Sequence, residues 1–256
     1  MNNEASVLKK AVLAAGSAIL QLQKTGFSVM RKENNDLLTQ ADLLANEILH
    51  KELLGAFPED GWLSEESVDD VARLGAKRVW VVDPIDGTKE YARGVPQYSV
   101  SVALVENGIP ILAAIFNPET NEYFSAIKGK GAWLWDEQIH CNEDVPARLT
   151  LLASHSECKR GEWDRFMPLH DVQQIGSIAY KLALIAAGKA HATFSLGPKS
   201  EWDIAAGVLL VQEAGGMVTD QAREPFIFNQ QDIRVKGVVA SSCAAYPVIF
   251  NMIEAA

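Results

Sequence analysis

Hydrophobic residues recur at helical spacing in the first part of the chain. Residues 4–24 carry apolar side chains three and four positions apart, and Gly26 stands just beyond them. This pattern predicts a first amphipathic helix. A second helix is predicted to begin with Thr39 as its N-cap and to stop at Gly55 and Pro58.

The middle of the chain changes to the short apolar runs and two-residue alternation of β-strands. Turn pairs at Asn107-Gly108 and Asn117-Pro118 separate these runs. The predicted strands are residues 79–82, 98–105, 109–116 and 122–127. Strands in close succession with short turns predict an antiparallel sheet.

After about residue 150 the pattern alternates between strands and helices. The predicted strands are residues 151–153, 192–194 and 237–240, and the predicted helices are residues 177–187, 202–214 and 245–253. Alternation of this kind is typical of an α/β layer structure. We therefore divide the chain into an N-terminal α+β lobe, residues 1–148, and a C-terminal α/β lobe, residues 149–256.

Composition and charge narrow the class of protein. The chain has 256 residues, of which 48% are hydrophobic and 22% charged, as is ordinary for a soluble globular protein. There are 23 Lys and Arg against 33 Asp and Glu, so the formal net charge is −10. That balance argues against binding a nucleic-acid polymer, which needs a basic surface. A small anionic substrate stays possible, because a bound cation can invert the local field.

The cysteines and the N-terminus predict a cytoplasmic protein without a membrane partner. Cys141, Cys158 and Cys243 are odd in number and match no zinc-binding spacing, so we interpret them as reduced thiols. The first ten residues lack the basic-then-apolar order of a signal peptide. No uninterrupted apolar run approaches the ~18 residues that suggest a membrane span.

The clearest chemical motif is Asp-Pro-Ile-Asp-Gly-Thr at residues 83–88, directly after a predicted buried strand. Asp83 and Asp86 can converge on one point across such a turn, and the carbonyl of Ile85 can add a third oxygen. Oxygen ligands of this kind bind hard divalent cations. If Thr88 begins a helix, its backbone N–H would face an anion. Asp-Pro and Asp-Gly pairs are also common turn formers, and the motif alone does not exclude a plain turn.

Two further acidic motifs could complete a site with these residues. The pair Glu65-Glu66 follows the apolar residues Trp62 and Leu63, and Asp203 stands at the start of a predicted helix. The alternatives are an exposed acidic loop for the pair and a simple acidic helix start for Asp203.

Together the motifs resemble the inositol monophosphatase-like superfamily of magnesium-dependent phosphatases. Its pattern is an E-E pair, then D-P-x-D-G-T, then W-D-x-A-A-G leading to E-A-G-G. These stand here in order at residues 65–66, 83–88, 202–207 and 213–216. The resemblance covers nearly the whole chain. It implies an α/β (α+β) fold, the layered α/β/α/β/α sandwich of the inositol monophosphatase and fructose-1,6-bisphosphatase type.

The resemblance also implies the metal and catalytic residues. Two or three Mg²⁺ ions are expected, the first held by Glu65, Asp83 and the Ile85 carbonyl and the second by Asp83, Asp86 and Asp203. Thr88 and Glu65 resemble the residues that orient a metal-activated attacking water. The implied catalytic residues are therefore Glu65, Thr88 and Asp83.

Substrate contacts and a closing segment are implied in the same way. The implied substrate-binding residues are Asp86, Gly87, Thr88, Gly176, Ser177, Lys181 and Asp203. Ser177 and Lys181 have plainer interpretations as a helix N-cap and a solvated lysine. A mobile N-terminal segment that can help hold a third metal is implied at Lys32, Asp36, Thr39 and Asp42. Its alternative is an ordinary helix cap with exposed charges.

The residues after Thr88 bear on the substrate. Lys89-Glu90-Tyr91 resembles the 3′(2′),5′-bisphosphate nucleotidase branch, as does the segment 197–203, although Lys199 stands where a smaller polar residue is more usual. Leu196 occupies a position where inositol monophosphatases tend to have Glu. The expected reaction is adenosine 3′(2′),5′-bisphosphate to AMP and phosphate. The alternatives are inositol monophosphate or a sugar phosphate such as fructose 1,6-bisphosphate.

Other classes of function stay open from the residues alone. A metal-independent glycosidase could use two carboxylates such as Asp83 and Asp86, and a regulator could bind metal or phosphate without turnover. The segment Ser154-His155-Ser156 lacks the nucleophile-elbow pattern, so we interpret it as a polar loop at a strand end near the substrate. The resemblance also implies a homodimer.

Overall fold

A computed structural model describes residues 1–32 and 36–254 of the chain. The first two helices are α1 (Asn2–Thr25) and α2 (Gln40–Ala56), and a hairpin of β1 (Val29–Arg31) and β2 (Leu37–Thr39) joins them. Gly26 ends α1 at a φ of 94°, and its N–H donates to Leu22 O at 2.8 Å. Thr39 caps α2, as the sequence predicts.

A seven-stranded sheet occupies the middle of the chain. Its strands, in spatial and chain order, are β3 (Gly61–Ser64), β4 (Arg78–Asp86), β5 (Ser99–Glu106), β6 (Ile109–Asn117), β7 (Glu122–Ile127), β8 (Ala132–Leu134) and β9 (Glu137–Ile139). A 3₁₀ turn (Val71–Gly75) precedes β4, and the short helix α3 (Thr88–Ala92) follows it. All neighbouring strands are antiparallel except β3 and β4, which are parallel.

The remaining residues build a five-stranded sheet with four helices. In chain order these elements are β10 (Thr150–Ala153), α4 (His155–Lys159), β11 (Asp171–Gln174), α5 (Ile178–Ala186), β12 (Ala192–Ser195), β13 (Lys199–Ser200), α6 (Glu201–Glu213), β14 (Gly216–Thr219), β15 (Arg234–Val235), β16 (Val238–Ser242) and α7 (Tyr246–Glu254). The sheet order is β11-β10-β12-β16-β14, and β13 pairs with β15 separately.

The elements stack in five layers, as the fold prediction requires. Helices α1 and α2 cover one face of the large sheet, and α5 and α6 lie between the two sheets. Helix α7, with Trp163 and Phe166, covers the outer face of the small sheet. The layered α/β/α/β/α sandwich is thereby confirmed.

Strand β4 shows why its sequence is continuously apolar. Val79 and Val81 belong to the core cluster around α5 and α6, whereas Trp80 and Val82 belong to the cluster under α1 and α2. Alternate side chains thus enter opposite cores, and both faces of the strand need apolar residues. The strand stays buried as far as Ile85, which lies within the Asp-Pro-Ile-Asp-Gly-Thr motif.

Several predicted elements need correction. The four predicted middle strands pair antiparallel as β4 to β7, but the sequence did not predict β3, which runs parallel to β4 at the edge of the sheet. The polar loop expected at residues 154–156 is instead the start of α4, where Ser154 and Glu157 form a capping box. Helix α6 begins at Glu201, one residue before the predicted start at Trp202.

The fold does not test the predicted division into two lobes or the prediction of no membrane partner. The division at residue 148 stays a prediction, and one core cluster takes residues from both sides of it, for example Val81 and Leu209. Helix α1 is long and apolar enough by composition to cross a membrane. Its buried face, from Leu8 to Ile19, packs in the core, which accounts for its apolar residues without a bilayer.

Candidate active site

The end of β4 holds the first pair of carboxylates. Asp83 is 2% exposed, and its Oδ1 accepts the backbone N–H of Ile85 at 3.0 Å. The register with β5 shifts between Asp83 and Asp86, a bulge that redirects the strand end. Gly87 follows at a φ of 96°, and a Cβ there would lie 2.9 Å from Gln97 O. Glycine is therefore required at this turn on both conformational and steric grounds.

Three carboxylates from three separate elements converge beside this strand end. One ligand oxygen each from Glu65, Asp83 and Asp203 lies within 4.8 Å of the others. Glu65 follows β3, and its N–H donates to Val82 O at 3.2 Å, which brings it alongside β4. Asp203 lies in the first turn of α6, where its Oδ2 accepts the N–H of Ser200 at 2.7 Å.

Asp86 lines the same cavity but has different partners. Its Oδ2 accepts hydrogen bonds from Ser177 Oγ and from the backbone N–H of Ala179, both at 2.6 Å. Both donors belong to the start of α5. One carboxylate oxygen of Asp86 is therefore committed to the protein, and the other is left for a ligand.

Burial makes these carboxylates costly as anions. Burial raises the pKa of Asp86 to about 6, and the bonds from Ser177 and Ala179 oppose that rise. Burial, helped by the negative charge of Asp86, raises the pKa of Asp203 to about 7. The pKa of Asp83 is also raised, first by burial and then by the charges of Glu65 and Asp86. Asp83 is fully buried, whereas Asp86 and Asp203 are half-buried at the cavity, and like charges gathered in such partly dehydrated surroundings favour protonation or a bound cation.

The chemistry of the donor set fits a hard divalent cation. Glu65, Asp83, Asp86 and Asp203 offer carboxylate oxygens, and the carbonyl of Ile85 lines the same cavity. Mg²⁺ takes oxygen ligands and commonly keeps several waters. Magnesium would also offset the burial cost and the smaller charge repulsion that raise these pKa values.

Lys32 supplies a positive charge at the edge of the cluster. Its Nζ lies 2.8 Å from Glu65 Oε1 and 2.6 Å from Glu66 Oε1. Burial raises the pKa of Glu66 to about 7, although Lys32 opposes the shift. Lys32 thus links the β1–β2 hairpin to a candidate metal ligand.

The implied mobile segment contributes residues of two kinds. Thr39 and Asp42 are buried in the cap of α2, where Asp42 Oδ2 accepts the Thr39 N–H at 2.7 Å. Asp36 lines the cavity, and its Oδ1 lies 3.9 Å from Lys89 Nζ. The part of the predicted segment at residues 33–35 lies outside the described residues. Its mobility and a third metal stay predictions.

Thr88 connects this segment to the metal cluster. Its Oγ1 lies 3.0 Å from Asp42 Oδ1 and 3.0 Å from Ile85 O. One hydroxyl proton can serve only one of these acceptors at a time, and the oxygen keeps lone pairs for a donor. Thr88 lines the cavity, so a water there can donate to its hydroxyl oxygen.

The cavity in front of these residues has a volume of about 510 Å³. Of the predicted substrate contacts, Asp86, Gly87, Thr88, Gly176 and Asp203 line it. The volume of about 510 Å³ is in the range of pockets for small organic ligands and is larger than one phosphate group needs.

Two predicted substrate contacts lie behind the cavity wall. Ser177 and Lys181 are buried, with Lys181 1% exposed, and neither is among the lining residues. Lys181 Nζ lies 3.9 Å from Glu157 Oε2 inside the protein. Within the described chain, Ser177 therefore reaches the site through Asp86, and direct substrate contact by either residue stays a prediction.

Sequence reasoning did not assign a role to several basic and polar residues of the cavity. Arg93 and Lys159 line it, and so does Lys199, which the sequence marked only as unusual. Ser154, His155 and Ser156, which the sequence analysis interpreted as lying near the substrate, also line the cavity. The His155 ring is fixed between Gln97 and Gln174, with nitrogen–oxygen distances of 2.8 and 2.9 Å. The four-residue spacing of His155 and Lys159 would have placed both on one side of a helix, had α4 been recognised.

The five-layer fold and the carboxylate cluster define a phosphatase of the metal-dependent kind. The particular group follows from comparison of sequences. The sequence profile of the inositol monophosphatase family matches residues 2–250, and the chain belongs to that family. Members of this family depend on a metal, typically Mg²⁺.

Individual relatives carry different names. The chain is 39% identical over 228 residues to the Nus factor SuhB of Xylella fastidiosa, covering 84% of this chain and 81% of that one. It is 32% identical over 225 residues to the 3′(2′),5′-bisphosphate nucleotidase CysQ of Escherichia coli O157:H7, covering 85% and 91%. The solved structure of Thermotoga maritima IMPase TM1415 superposes with a TM-score of 0.87 at 26% identity, covering 99% and 97%.

Proposed function

We propose that the protein is a Mg²⁺-dependent phosphomonoesterase that removes a phosphate from adenosine 3′(2′),5′-bisphosphate. The observation that carries this proposal is a cavity lined both by Glu65, Asp83 and Asp203, whose carboxylate oxygens converge, and by the basic residues Lys159 and Lys199. Carboxylates suit the metal that a phosphoryl transfer needs, and lysines suit a substrate with further negative charge.

Two overlapping sets of these residues would each hold one metal ion. Glu65, Asp83 and the Ile85 carbonyl would hold one Mg²⁺, and Asp83, Asp86 and Asp203 a second. When bound, Mg²⁺ supplies charge neutralisation for the phosphoryl group and lowers the pKa of water. The protein orients these ligands through bonds already present, from Ser177 and Ala179 to Asp86 and from Ser200 to Asp203.

Thr88 and Glu65 are suited to orient the attacking water. The Thr88 hydroxyl donates to Asp42 or to the Ile85 carbonyl, so its lone pairs can accept a hydrogen bond from a water. Glu65 stands at the same cavity and can accept a second hydrogen bond from that water. Two acceptors would fix the direction in which the water's own lone pair points.

The choice of substrate rests on the neighbours of the cluster. The resemblance of Lys89-Glu90-Tyr91 to the bisphosphate nucleotidases and the similarity to CysQ support a nucleotide. Leu196 is 39% exposed and offers no group to hydroxyls of an inositol ring. The alternatives are inositol monophosphate, supported by the family and by the similarity to an IMPase, and a sugar phosphate.

Phosphate release with Mg²⁺ tests the proposal. Adenosine 3′,5′-bisphosphate, inositol 1-phosphate and fructose 1,6-bisphosphate would be compared, each with a chelator control. We expect a kcat/KM about 100-fold higher for the nucleotide, equivalent to about 2.7 kcal/mol of transition-state discrimination. Preference for inositol 1-phosphate would contradict the substrate and leave the metal site intact.

The chelator control also separates the other classes of function. Turnover that survives chelation would favour a metal-independent hydrolase such as a glycosidase, and metal binding without any turnover would favour a regulator. The proposal further includes a cytoplasmic homodimer without nucleic-acid polymer or membrane partners. Sedimentation at micromolar concentration measures the oligomeric state.

A further inference from the structure

A second cavity opens beside α1, and it shares no lining residue with the carboxylate cavity. Helix α1 packs on β5 and β6, and this cavity lies where the same sheet continues into β7 and β8. Its volume is about 130 Å³. We name it the aromatic cleft, and its main lining residues are Lys9, Leu112, Tyr123, Ser125, Trp133 and Trp135.

The sequence of β7 explains why a gap remains at this place. Tyr123, Ser125 and Ile127 alternate along the strand and therefore share one face of the sheet. Ser125 stands between the two larger side chains and opposite Trp133 of the neighbouring strand. Its small side chain cannot fill the space that these larger neighbours border, so a cleft is left.

Aromatic rings form much of the wall of the cleft. Tyr123 and Trp135 pack with their ring centroids 5.4 Å apart. The indole N–H of Trp133 donates to the carbonyl of Lys130, and that of Trp135 donates to the carbonyl of Asn121. Because both indole donors are occupied by the protein, these two rings offer apolar surface to a ligand.

Lys9 brings a positive charge to the cleft. Its Nζ lies 5.5 Å from the centre of the Tyr123 ring and 5.3 Å from that of Trp135, at cation–π distance. Among residues 1–32 and 36–254, no carboxylate lies within ion-pair distance of Lys9, whereas the next residue, Lys10, pairs with Glu52 at 2.7 Å. The Lys9 ammonium can therefore bind an anion from outside the protein.

Tyr123 adds a hydroxyl that the protein itself does not use. The side chain is 3% exposed, and no residue of the described chain forms a hydrogen bond with its hydroxyl. Every fully enclosed side-chain nitrogen or oxygen of the described residues has a partner, so this hydroxyl is open to the cleft. Burial raises the pKa of Tyr123, so the hydroxyl keeps its proton and can donate. A buried donor without a protein partner indicates a place for a ligand or a water.

We propose that the aromatic cleft binds a small carboxylate that carries a single flat apolar ring and one negative charge. Lys9 and the Tyr123 hydroxyl would bind the carboxylate, and the ring would lie against Trp133 and Trp135. Because the ammonium lies over the ring that carries the hydroxyl, one carboxylate can reach both donors.

The charge and the size of the cleft select this class of ligand. One lysine matches a monoanion better than a phosphate dianion, since the cleft has no second cation among its lining residues. An apolar cavity of about 150 Å³ accommodates one benzene ring, so the volume of about 130 Å³ limits the ligand to a single ring. This site is independent of the proposed phosphatase function.

Isothermal titration calorimetry with benzoate tests the proposal. The titration is made in chelator, so that no metal at the carboxylate cluster can bind the probe. We expect saturable binding with a Kd of about 1 mM or below, and binding at least about tenfold weaker for benzamide, which has the same shape without the charge. No saturation up to about 10 mM benzoate, or equal affinity for benzamide, would overturn the proposal. Tighter binding of inorganic phosphate than of benzoate would refute the carboxylate class.

Variants locate the probe in the cleft. Lys9→Met should weaken benzoate binding by about tenfold or more, and Tyr123→Phe by about threefold or more. Lys9→Arg keeps the charge and should keep most of the affinity. Lys10→Met is the matched control, because Lys10 lies on the same helix, is exposed and does not line the cleft.

The Tyr123→Phe variant removes one oxygen only, so it keeps the test valid if Lys9→Met impairs folding. Benzoate affinity that is unchanged in both Lys9→Met and Tyr123→Phe would place the probe elsewhere and refute the site. An equal loss in Lys10→Met would show a general charge effect and would refute it as well.

Discussion

Ser177 donates its hydroxyl proton to Asp86, with 2.6 Å between Oγ and Oδ2. Ser177 Oγ also accepts the backbone N–H of Tyr180 at 2.9 Å, so one hydroxyl both begins α5 and fixes a carboxylate at the end of β4. Ser99 Oγ lies 3.1 Å from Ser177 Oγ. Because the Ser177 proton is directed at Asp86, Ser99 is the donor in this second hydroxyl contact. The helix between the two sheets is thereby connected directly to the candidate metal site.

Ser177→Ala should weaken the metal site and the fold together. The change removes a buried donor to Asp86 and the cap of α5. We expect a 10- to 100-fold higher Mg²⁺ concentration for half-maximal activity, as is typical for partners of metal ligands. The free energy of unfolding should fall by about 1–2 kcal/mol. Magnesium titration of activity and urea unfolding measure the two effects.

Ser99→Ala is the matched control for this change. It removes the hydroxyl that reaches Ser177 from the other side but keeps the bond to Asp86. An unchanged magnesium requirement in Ser177→Ala would contradict the positioning role.

Asp83→Asn and Asp203→Asn should abolish nearly all phosphatase activity while the protein stays folded. Each removes a carboxylate from the three-residue cluster. Because burial and like charges raise the pKa of both groups, the metal-free variants should melt at a higher temperature than metal-free wild type. Phosphate release and thermal unfolding with and without Mg²⁺ test both parts.

Asp144→Asn is the control, since Asp144 is exposed and does not line the cavity. Full turnover in Asp83→Asn or Asp203→Asn would refute the assignment of these carboxylates as metal ligands. Lower melting temperatures in the metal-free variants would instead indicate that the carboxylates stabilise the fold without an ion.

The metal-free protein should lose stability as pH rises through the weakly acidic range. The pKa of Asp86 is raised to about 6 and that of Asp203 to about 7, both from 3.8, so the folded state holds more protons than the unfolded state. Their contribution is most favourable below about pH 4 and is lost as pH rises to about 7. Unfolding in chelator at pH 5 and pH 8 measures the difference.

Magnesium should reverse this trend in the same pH window. The ion binds the charged carboxylates, so its stabilising effect grows as they ionise. A metal-free protein that gains stability between pH 5 and pH 8 would show that other groups dominate the titration.

Lys181→Met should destabilise the protein by about 3 kcal/mol, because it leaves the buried Glu157 without its cation. The pKa of Glu157 is lowered to about 2, against the effect of burial, by Lys181 and by the hydroxyls of Ser195 and Ser154. Glu157→Gln in the Lys181→Met background should recover part of the loss. Urea unfolding of both single variants and the double variant gives the coupling.

Lys128→Met, which changes an exposed lysine outside the cavity, is the matched control for that measurement, and its stability should be near wild type. If Lys181→Met were as stable as wild type but raised KM selectively, the predicted direct contact between Lys181 and substrate would be favoured.

The sequence predicted best the elements whose structure depends on residues close together in the chain. The run of residues 79–82 predicted β4 because both of its faces are buried, and Thr39 predicted the start of α2 because its side chain caps it. The carboxylates of the motifs could be assigned to one site only through the family resemblance. Glu65 and Asp203 stand 138 positions apart in the sequence, and nothing in that spacing indicates that oxygens of the two carboxylates lie within 4.8 Å of each other.

The remaining features depend on tertiary contacts. Strand β3 has only four residues, and a sequence pattern of that length does not distinguish a strand from a loop. Its parallel pairing with β4 depends on the surrounding chain. The plainer sequence interpretation of Lys181 was a solvated lysine, but every residue of α5 is buried between the sheets. The basic cavity residues Arg93, Lys159 and Lys199 come from three distant parts of the chain, and no local pattern relates them.

The shared middle layer ties the two halves of the protein into one cooperative unit. Helices α5 and α6 bury side chains against both sheets, so neither half can close its core without the other. A backbone cut in the segment between β9 and β10 should leave two fragments that do not fold separately but regain activity when mixed. Because the carboxylate cluster takes Glu65 and Asp83 from one fragment and Asp203 from the other, restored turnover would report that reassembly directly.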